Sequence, residues 1–344
     1  MKILISALEP SANIHLKEVL KHTHDITPIG IFDKTLGTPM YDVSQMAVMG
    51  ISDVIKKIFW FRKVLEEMVE LAHDAQKVLL MDSSGFNLPL AKKLKQRYPN
   101  KEIVYYILPQ VWASRPKRVK KIEAYCDKLL AILPFETSWY PSGKAQYVGH
   151  PLLDEIEATN QNKKGTIAFM PGSRKSEIEA LLPVFTKIKD KLPEKKSLLV
   201  VPASFDKAKI EAWYKDIEGF EIVQDTQQAL AQSEFAFICS GTATLEAALI
   251  GTPFVLSYIA KPLDFFIGTK ILKIKQIGLA NILLTHHNQS SLHQEIIQGD
   301  VTPENLIKIY KETDYEIFRQ NAKILREYLS HGSSVNVANI LMER

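Results

Sequence analysis

Two stretches of the chain place glycine and hydroxyl side chains directly after an apolar run. The first, Thr166–Glu177, passes from Ile-Ala-Phe-Met into Pro-Gly-Ser-Arg, and the second, Phe235–Glu246, passes from Ala-Phe-Ile-Cys into Ser-Gly-Thr. In each, the apolar run predicts a strand and the residues after the glycine predict a helix, whose first N–H groups point outward and suit an anion. Arg174 adds a forked cation to the first turn. The pattern therefore indicates a site for a diphosphate.

Each turn also has a purely structural interpretation. Ser173 or Ser176 could cap the first helix, and Ser240 or Thr242 could cap the second. Glu246, one turn into the second helix, could accept hydrogen bonds from a ribose or only support the helix dipole. Two such turns in one half of the chain nevertheless favour a nucleoside diphosphate site.

A carboxylate follows the apolar run Lys77–Met81 in the first half of the chain. Parallel strands of this kind bind ligands beyond their carboxyl ends, and Asp82 stands at such an end. Asp is also frequent in turns and at helix N-termini, so an entirely structural use of Asp82 is the alternative.

The loop Pro109–Lys121 combines an indole with several cations. Trp112 precedes Arg115 and Arg118, with lysines among them. The loop could hold a sugar phosphate, with the indole over the ring and the cations on the anion. It could equally be a solvated basic helix start.

Residues 54–61 are apolar over more than half the circumference of a helix. A helix that packs on the core explains Val54, Ile58 and Phe61, which share one face, but not Phe59 and Trp60 as well. A helix lying in a membrane interface, with flanking lysines, explains all of them. The candidate membrane patch therefore comprises Val54, Ile55, Ile58, Phe59, Trp60 and Phe61. Burial against a neighbouring element is the alternative.

The elements that must position these residues alternate between strand and helix in both halves. Strands are predicted at residues 2–7, 29–31, 77–82, 103–108, 128–133, 145–148, 166–170, 197–201, 220–223, 235–239 and 253–257. A polar linker covers 155–165, and an amphipathic helical tail covers 303–342. This order predicts an α/β protein of two doubly wound domains facing a cleft.

Composition excludes several classes of protein. The chain has 344 residues, 46% of them hydrophobic, and a formal net charge of +4, which is too mild to mark a nucleic-acid binder. Two cysteines make no disulfide framework. The N-terminus reads as a strand rather than a signal peptide, and no apolar run approaches the ~20 residues that span a bilayer. We therefore expect a cytoplasmic protein.

Several stretches together resemble lipid-A-disaccharide synthases, which are inverting glycosyltransferases of the GT-B fold. The Val-Trp-Ala element and the Pro-Gly-Ser-Arg…Glu element, in this order, are specific, whereas Ser-Gly-Thr-Ala is shared with other GT-B enzymes. The matching stretches are Met46–Val54, Asp82 with Phe86-Asn87, Pro109–Lys121, Leu133–Glu136, Gly149-His150, Met170–Glu177, Ser240–Glu246 and Asn281–Leu284.

The resemblance implies transfer of 2,3-diacylglucosamine from its UDP derivative to the 6-hydroxyl of 2,3-diacylglucosamine 1-phosphate, with release of UDP. Such a transfer needs a base near the acceptor hydroxyl, and our hypothesis gives this catalytic role to Asp82. The donor would bind Gly172, Ser173, Arg174, Glu177, Ser240, Gly241, Thr242, Ala243, Glu246 and Asn281. The acceptor would bind Glu9, Ser11, Asn87, Trp112, Arg115 and Arg118. No Asp-x-Asp motif is present, so we expect no cofactor and no metal.

The resemblance also implies two domains with different roles and a helical tail. Residues 1–157 would form the acceptor-binding, membrane-facing domain and residues 163–314 the UDP-sugar domain. The helical tail, 315–344, would pack back across the domains or onto a partner in a domain-swapped homodimer. Because both substrates are lipids, we expect peripheral association with the inner face of the cytoplasmic membrane.

Two parts of the family pattern are altered. The family's second acid after the Asp82 position is Gly85 here, which leaves Asp82 as the only acid of that motif. The first loop typically reads Gly-Glu-x-Ser-Gly-Asp, and here it reads Leu-Glu-Pro-Ser-Ala-Asn at residues 8–13, so Glu9 and Ser11 match while the glycines and the final acid do not. Two alternatives are another GT-B enzyme, such as a UDP-GlcNAc 2-epimerase or the peptidoglycan N-acetylglucosaminyl transferase, and a non-catalytic membrane scaffold. A scaffold has no use for two phosphate-binding turns.

Overall fold

The computed structural model describes residues 1–43, 54–113, 115–161, 163–260 and 276–343, without the side chains of 54–59. It divides into unit 1, residues 1–155 with 329–344, and unit 2, residues 156–328. The matching stretch 46–53 therefore lies outside the described residues. None of the described helices has the length and apolar character needed to cross a membrane.

Unit 1 is built on a parallel sheet of seven strands within the described residues. Their order across the sheet is β3-β2-β1-β4-β5-β6-β7. The strands are β1 (Lys2–Ala7), β2 (Thr27–Phe32), β3 (Tyr41–Asp42), β4 (Lys77–Met81), β5 (Glu102–Tyr106), β6 (Lys128–Ala131) and β7 (Ala145–Tyr147). The whole of β4 is buried, as expected for a strand covered on both faces.

Helices cover both faces of this sheet. They are α1 (Pro10–Lys21), α2 (Val54–Leu71), α3 (Ser84–Arg97), α4 (Val119–Tyr125) and α5 (Pro151–Glu155), with 3-10 turns at Lys34–Leu36, Ala72–Asp74, Pro116–Arg118 and Pro134–Trp139. Val64, Met68 and Leu94 pack in the core on one face, and Leu16 and Val19 pack on the other. Both faces are thus shielded from water, which leaves the strand ends as places for polar chemistry.

Unit 2 repeats the architecture with a parallel sheet of six strands within its described residues. Their order is β10-β9-β8-β11-β12-β13. The strands are β8 (Thr166–Met170), β9 (Lys196–Val200), β10 (Glu221–Val223), β11 (Phe235–Cys239), β12 (Phe254–Tyr258) and β13 (Glu295–Ile297). The helices are α6 (Lys175–Asp190), α7 (Lys207–Trp213), α8 (Thr226–Ala231), α9 (Thr242–Ile250), α10 (Leu279–His286), α11 (Pro303–Glu312) and α12 (Tyr315–Leu329), with a 3-10 turn at Gln298–Asp300.

Each sheet has one point where the direction of strand addition reverses. In unit 1 it lies between β1 and β4, and in unit 2 between β8 and β11. Ligands of such sheets bind at this switch point, beyond the carboxyl ends of the two strands. The loop after β1 contains Glu9, β4 is followed by Asp82, β8 by Gly172, and β11 by Ser240. The topology therefore brings the predicted residues to the two expected places.

The tail is not one continuous helix. Asp314 interrupts it by accepting from the N–H groups of Glu316 and Ile317, and a last helix, α13 (Ser333–Met342), follows Gly332. Residues 329–344 belong to unit 1, where Val337 and Leu341 pack beside α1. Asp154 accepts from the N–H groups of Gly332 and Ser334, at 2.8 Å each. The predicted segment 315–344 is thus divided between the two units.

Candidate active site and nucleotide pocket

Unit 2 contains a cavity of about 440 Å³ at its switch point. Both glycine turns line it, the first through Gly172 and Ser173 and the second through Ser240 and Gly241. The paired residues Met170 and Ile238 at the ends of β8 and β11 also line it, because they are neighbours in the sheet register. The parallel pairing of these two strands is what brings turns about 70 residues apart into one cavity.

The first turn is organised by Glu177. Its buried carboxylate accepts from the backbone N–H groups of Ser173 and Arg174, both at 3.3 Å, and from the Arg174 guanidinium at 2.6 Å. The helix cap is therefore supplied by Glu177, and neither Ser173 nor Ser176 has the capping role that the structural interpretation gave it. Glu177 raises the pKa of Arg174, whose side chain stays 76% exposed beside the cavity. The turn is fixed while its cation remains within reach of a ligand.

Gly172 is required by this arrangement. Its φ of +105° lies in a region that side chains disfavour. A Cβ there would stand 2.5 Å from Glu177 Oε2 and 3.3 Å from Cys239 Sγ. The glycine therefore allows the Glu177 carboxylate to approach the turn.

The second turn is more open. Gly241 has a φ of +126°, but a Cβ there would meet no described atom within 4 Å. Gly241 also serves as the N-cap of α9 without a side-chain cap hydrogen bond, so neither Ser240 nor Thr242 caps this helix. The first N–H groups of an α-helix have no intrahelical acceptor and carry partial positive charge. Those of α9 stand at the cavity, where a phosphate would meet them.

Nine of the ten predicted donor residues line the cavity, and Asn281 does not. Its buried amide donates to the carbonyl of His293 and to Glu295, and its oxygen accepts from the N–H of Leu292 at 2.8 Å. An amide so engaged has no capacity left for a nucleotide. The assignment of Asn281 to the donor is therefore replaced by a structural role, in which it joins α10 to the start of β13.

Unit 1 has a smaller cavity, of about 250 Å³, beyond the end of β4. Asp82, Ser83 and Ser84 line one side, the segment 107–111 lines the other, and Arg118 completes it. The Arg118 guanidinium donates to Ser84 Oγ. The cavity thus combines a carboxylate with a cation that lies close enough to orient an anionic or hydroxylic ligand.

Asp82 is the most unusual group of this cavity. Its Oδ1 is buried with no hydrogen-bond partner among the described residues. Burial raises its pKa to about 7; the Ser83 hydroxyl and His15 act against this shift, and the Glu9 carboxylate adds to it. A carboxyl group with a pKa near neutrality is suited to take up and release a proton.

Two buried side chains hold Asp82 in a strained backbone conformation. Asp82 and Ser83 have φ values of +42° and +27°, which side-chain-bearing residues seldom adopt. The Asn87 amide donates to the carbonyls of Met81 and Asp82, at 2.8 and 3.2 Å, and the Tyr105 hydroxyl donates to the Asp82 carbonyl. Asn87 is fully buried, so it positions Asp82 rather than contacting the acceptor as predicted.

The remaining predicted acceptor residues differ in their exposure and in their distance from Asp82. Glu9 accepts from Ser83 Oγ at 3.2 Å and so lies beside Asp82. Ser11 and Arg115 are exposed, and neither lines the cavity within the described structure. Trp112 is half-buried and packs edge-on against Phe135, so its indole is fixed but does not line the Asp82 cavity.

Glu136 was not predicted as a functional group. It is buried, accepts from Trp112 Nε1 at 3.1 Å and from the Leu133 N–H at 3.2 Å, and burial raises its pKa to about 7. The Leu-Pro-Phe-Glu sequence carries the signal, because Pro at a helix start followed by an acid two residues later is typical of a cap. Glu136 positions the indole.

The candidate membrane patch is described only at its end. Trp60 and Phe61 are half-buried against the core of unit 1, and Phe61 packs on Phe86 with ring centroids 5.7 Å apart. Trp60 packs edge-on against Tyr41. Core packing therefore accounts for these two members, and the side chains of Val54, Ile55, Ile58 and Phe59 lie outside the described residues.

The comparison with known families identifies one match over nearly the whole chain. A family model described as lipid-A-disaccharide synthetase matches residues 3–337. The lipid-A-disaccharide synthase of Helicobacter pylori strain G27 is 49% identical over 351 aligned positions, covering 98% of this chain and 97% of the relative. That of Campylobacter jejuni strain RM1221 is 44% identical over 364 positions, covering 99% of each.

The solved structures that resemble the chain include those of UDP-sugar enzymes. A UDP-GlcNAc 2-epimerase from Neisseria meningitidis bound to UDP-GlcNAc has a TM-score of 0.64 at 12% identity, covering all of both chains. A structure of S. aureus MnaA with UDP has a TM-score of 0.63 at 14% identity, covering 99% of this chain and 95% of the other. At these identities the likeness shows the GT-B fold alone, so it does not favour the epimerase alternative.

Proposed function

Because the chain belongs to the lipid-A-disaccharide synthase family, a family of glycosyltransferases, we propose how its own residues transfer the sugar. The enzyme moves 2,3-diacylglucosamine from its UDP derivative to the 6-hydroxyl of 2,3-diacylglucosamine 1-phosphate. The new bond joins that oxygen to the anomeric carbon, the bond from this carbon to the diphosphate breaks, and UDP departs. The hydroxyl proton must be removed, and the diphosphate gains negative charge. Each event needs a group in the protein.

Asp82 is the proposed base. The observation that carries this assignment is its buried Oδ1, which has no partner among the described residues and stands at the switch point of unit 1. Its pKa of about 7 leaves a useful fraction ionised at neutral pH. A base with a pKa near the working pH combines the correct protonation state with sufficient proton affinity.

The leaving UDP is the proposed ligand of the pocket in unit 2. The N–H groups at the start of α9 and the exposed Arg174 guanidinium would stabilise the charge that develops on the diphosphate. Glu177 would keep Arg174 in position through their 2.6 Å hydrogen bond. Glu246, which lines the same pocket, is the proposed ribose ligand.

Membrane association and dimerisation are further proposals. Both substrates carry acyl chains, so residues 54–59 would contact the inner-membrane surface while Trp60 and Phe61 anchor α2 to the core. Cosedimentation of Ile55→Glu and wild-type protein with anionic vesicles tests this, and equal binding of the two would overturn it. A homodimer that exchanges C-terminal segments is expected from the family resemblance. Light scattering measures the molar mass and so tests whether the protein is a dimer.

The assay of function measures UDP release from UDP-2,3-diacylglucosamine, with and without 2,3-diacylglucosamine 1-phosphate. We expect release only when the acceptor is present, together with a disaccharide phosphate detected by mass spectrometry. Release without acceptor would identify a hydrolase instead. If the protein binds UDP but releases none from this donor, its substrates would be those of another GT-B enzyme.

A further inference from the structure

A second cavity in unit 2, of about 460 Å³, lies at the amino ends of the strands, opposite the nucleotide pocket. We call it the amino-edge cavity. Lys195 directly precedes β9 and lines this cavity, as do Lys164, just before β8, and Glu234, directly before β11. The nucleotide pocket lies beyond the carboxyl ends of the same three strands. Because each strand has five residues, the two sites are about 15 Å apart.

The floor of this amino-edge cavity is preorganised around Glu234. Its buried carboxylate forms an ion pair with Lys195 at 2.7 Å and accepts from the Gly165 N–H at 2.7 Å and from the Tyr310 hydroxyl at 2.5 Å. Burial alone would raise the pKa of Glu234, but these partners outweigh it and the pKa is lowered. Glu234 and Lys195 thus neutralise each other, and the hydrogen bonds from Gly165 and Tyr310 fix the position of the Glu234 carboxylate.

Further cations line the cavity beyond this neutral pair. They are Lys163, Lys164 and Arg319. Arg319 Nε is buried with no hydrogen-bond partner among the described residues, and the guanidinium approaches Glu316 only at 3.8 Å. A buried N–H donor without an acceptor is costly unless a ligand or water supplies one. The excess positive charge at the cavity indicates an anion.

The remaining lining residues suit a small polar ligand rather than an extended surface. Tyr310 and Tyr315 flank the cavity, and burial raises the pKa of Tyr315 to about 12, so its hydroxyl is a neutral donor at physiological pH. A guanidinium, ammonium groups and a phenol converging on one concave site match the oxygens of a phosphate group. Carboxylates present fewer oxygens and a lower charge.

We propose that the amino-edge cavity binds a phosphate group, as inorganic phosphate or as a phosphomonoester, at a site separate from the nucleotide pocket. Arg319 and Lys164 hold the phosphate oxygens, Tyr315 donates a third hydrogen bond, and the Lys195–Glu234 pair forms the floor. The phosphomonoester could be borne by a soluble metabolite or by a lipid headgroup, since both present the same three oxygens.

The test measures binding of inorganic phosphate and of glycerol 3-phosphate by calorimetry at low salt, with UDP saturating the nucleotide pocket. Wild-type protein should show saturable binding, and the double variant Lys164→Gln/Arg319→Gln should weaken it about tenfold or more, because each change removes a charge-assisted hydrogen bond. Vesicles with phosphatidic acid, compared with phosphatidylcholine alone, test the lipid source in the same two proteins. Phosphate-dependent binding in either arm that the double variant loses supports the site.

The matched control is Lys323→Gln, on the same helix as Arg319, where the side chain is 79% exposed. It should bind phosphate like the wild type, and all variants should retain UDP affinity, which shows that unit 2 is folded. The proposal is overturned by absence of saturable binding from both sources, by equal affinity in the double variant, or by an equal loss in Lys323→Gln.

Discussion

Asp82 in unit 1 and Glu177 in unit 2 are carboxylates at the switch points of two similar sheets, yet their surroundings are opposite. Glu177 accepts three hydrogen bonds from Ser173 and Arg174, whereas Asp82 Oδ1 accepts none among the described residues. A carboxylate that accepts hydrogen bonds from a loop stabilises that loop, and one with a buried oxygen that accepts none retains affinity for a proton. The difference supports a structural role for Glu177 and the proposed proton transfer by Asp82, although both were predicted as site residues.

The largest expected effect is on turnover. Asp82→Asn should lower kcat by about 10²- to 10⁴-fold, because it removes the proposed base while keeping the shape of the side chain. UDP affinity, measured by calorimetry, should stay within about twofold. Asp74→Asn, at the other end of β4 and half-exposed, is the control and should keep near-normal turnover. Near-normal turnover of Asp82→Asn would end the assignment.

The next effect is on donor affinity. Glu177→Ala should weaken UDP binding about 10- to 100-fold, because the N–H groups of Ser173 and Arg174 lose their acceptor and the guanidinium loses its support. Glu179→Ala on the same helix removes a side chain that is 60% exposed and should leave UDP affinity unchanged. If both variants bind UDP like the wild type, Glu177 does not organise the pocket.

The pH dependence of kcat/KM tests the buried environment of Asp82, and the expected effect is smaller than that of the two substitutions above. Because the proposed base acts when ionised, acceptor-dependent kcat/KM should rise about tenfold per pH unit below about pH 7 and level off above it. Glu9→Gln should move the midpoint to lower pH, because the Glu9 carboxylate helps to hold the pKa of Asp82 up. A midpoint near pH 4, the ordinary range of Asp, would contradict the buried environment described for Asp82.

The smallest effect concerns stability, and it has opposite signs at the two positions. The folded-state pKa of Asp82 is raised from 3.8 to about 7, so its contribution to the free energy of unfolding falls as pH rises between these values. At pH 8 Asp82→Asn should therefore raise the thermal midpoint of unit 1, by about 2–4 °C per kcal/mol gained. Glu177→Ala should lower that of unit 2. Calorimetric scans at pH 5 and pH 8 measure both, and a lower midpoint for Asp82→Asn at pH 8 would refute the account.

Apolar runs predicted the strands well because buried parallel strands are almost continuously apolar. The runs at 166–170 and 235–239 coincide with β8 and β11. The prediction missed β3 and β13, which have two and three residues and only partial burial at several positions. At the start of α1, Pro10 is the first helical residue, a position that proline fits.

The residue types that line the proposed nucleotide pocket were predictable, but the partners of each side chain were not. Glycine and hydroxyl residues after a strand identify a turn, so Gly172 and Ser240 were found. Asn281 and Asn87 have the same polar amide as a ligand-binding residue, and only the structure shows that their hydrogen bonds are made inside the protein. Long-range partners such as Glu295, 14 residues away from Asn281, cannot be read from local sequence.

The return of residues 329–344 to unit 1 has a consequence for the order of folding during synthesis. Residues 1–155 leave the ribosome first, but the face of β1 and β4 that α13 covers stays exposed until all of unit 2 has been made. Unit 2 is continuous in sequence, so it can complete its core before unit 1 does. Chaperones that recognise apolar surface should therefore engage the first domain for longer than the second, a reversal of the usual order in which N-terminal domains finish first.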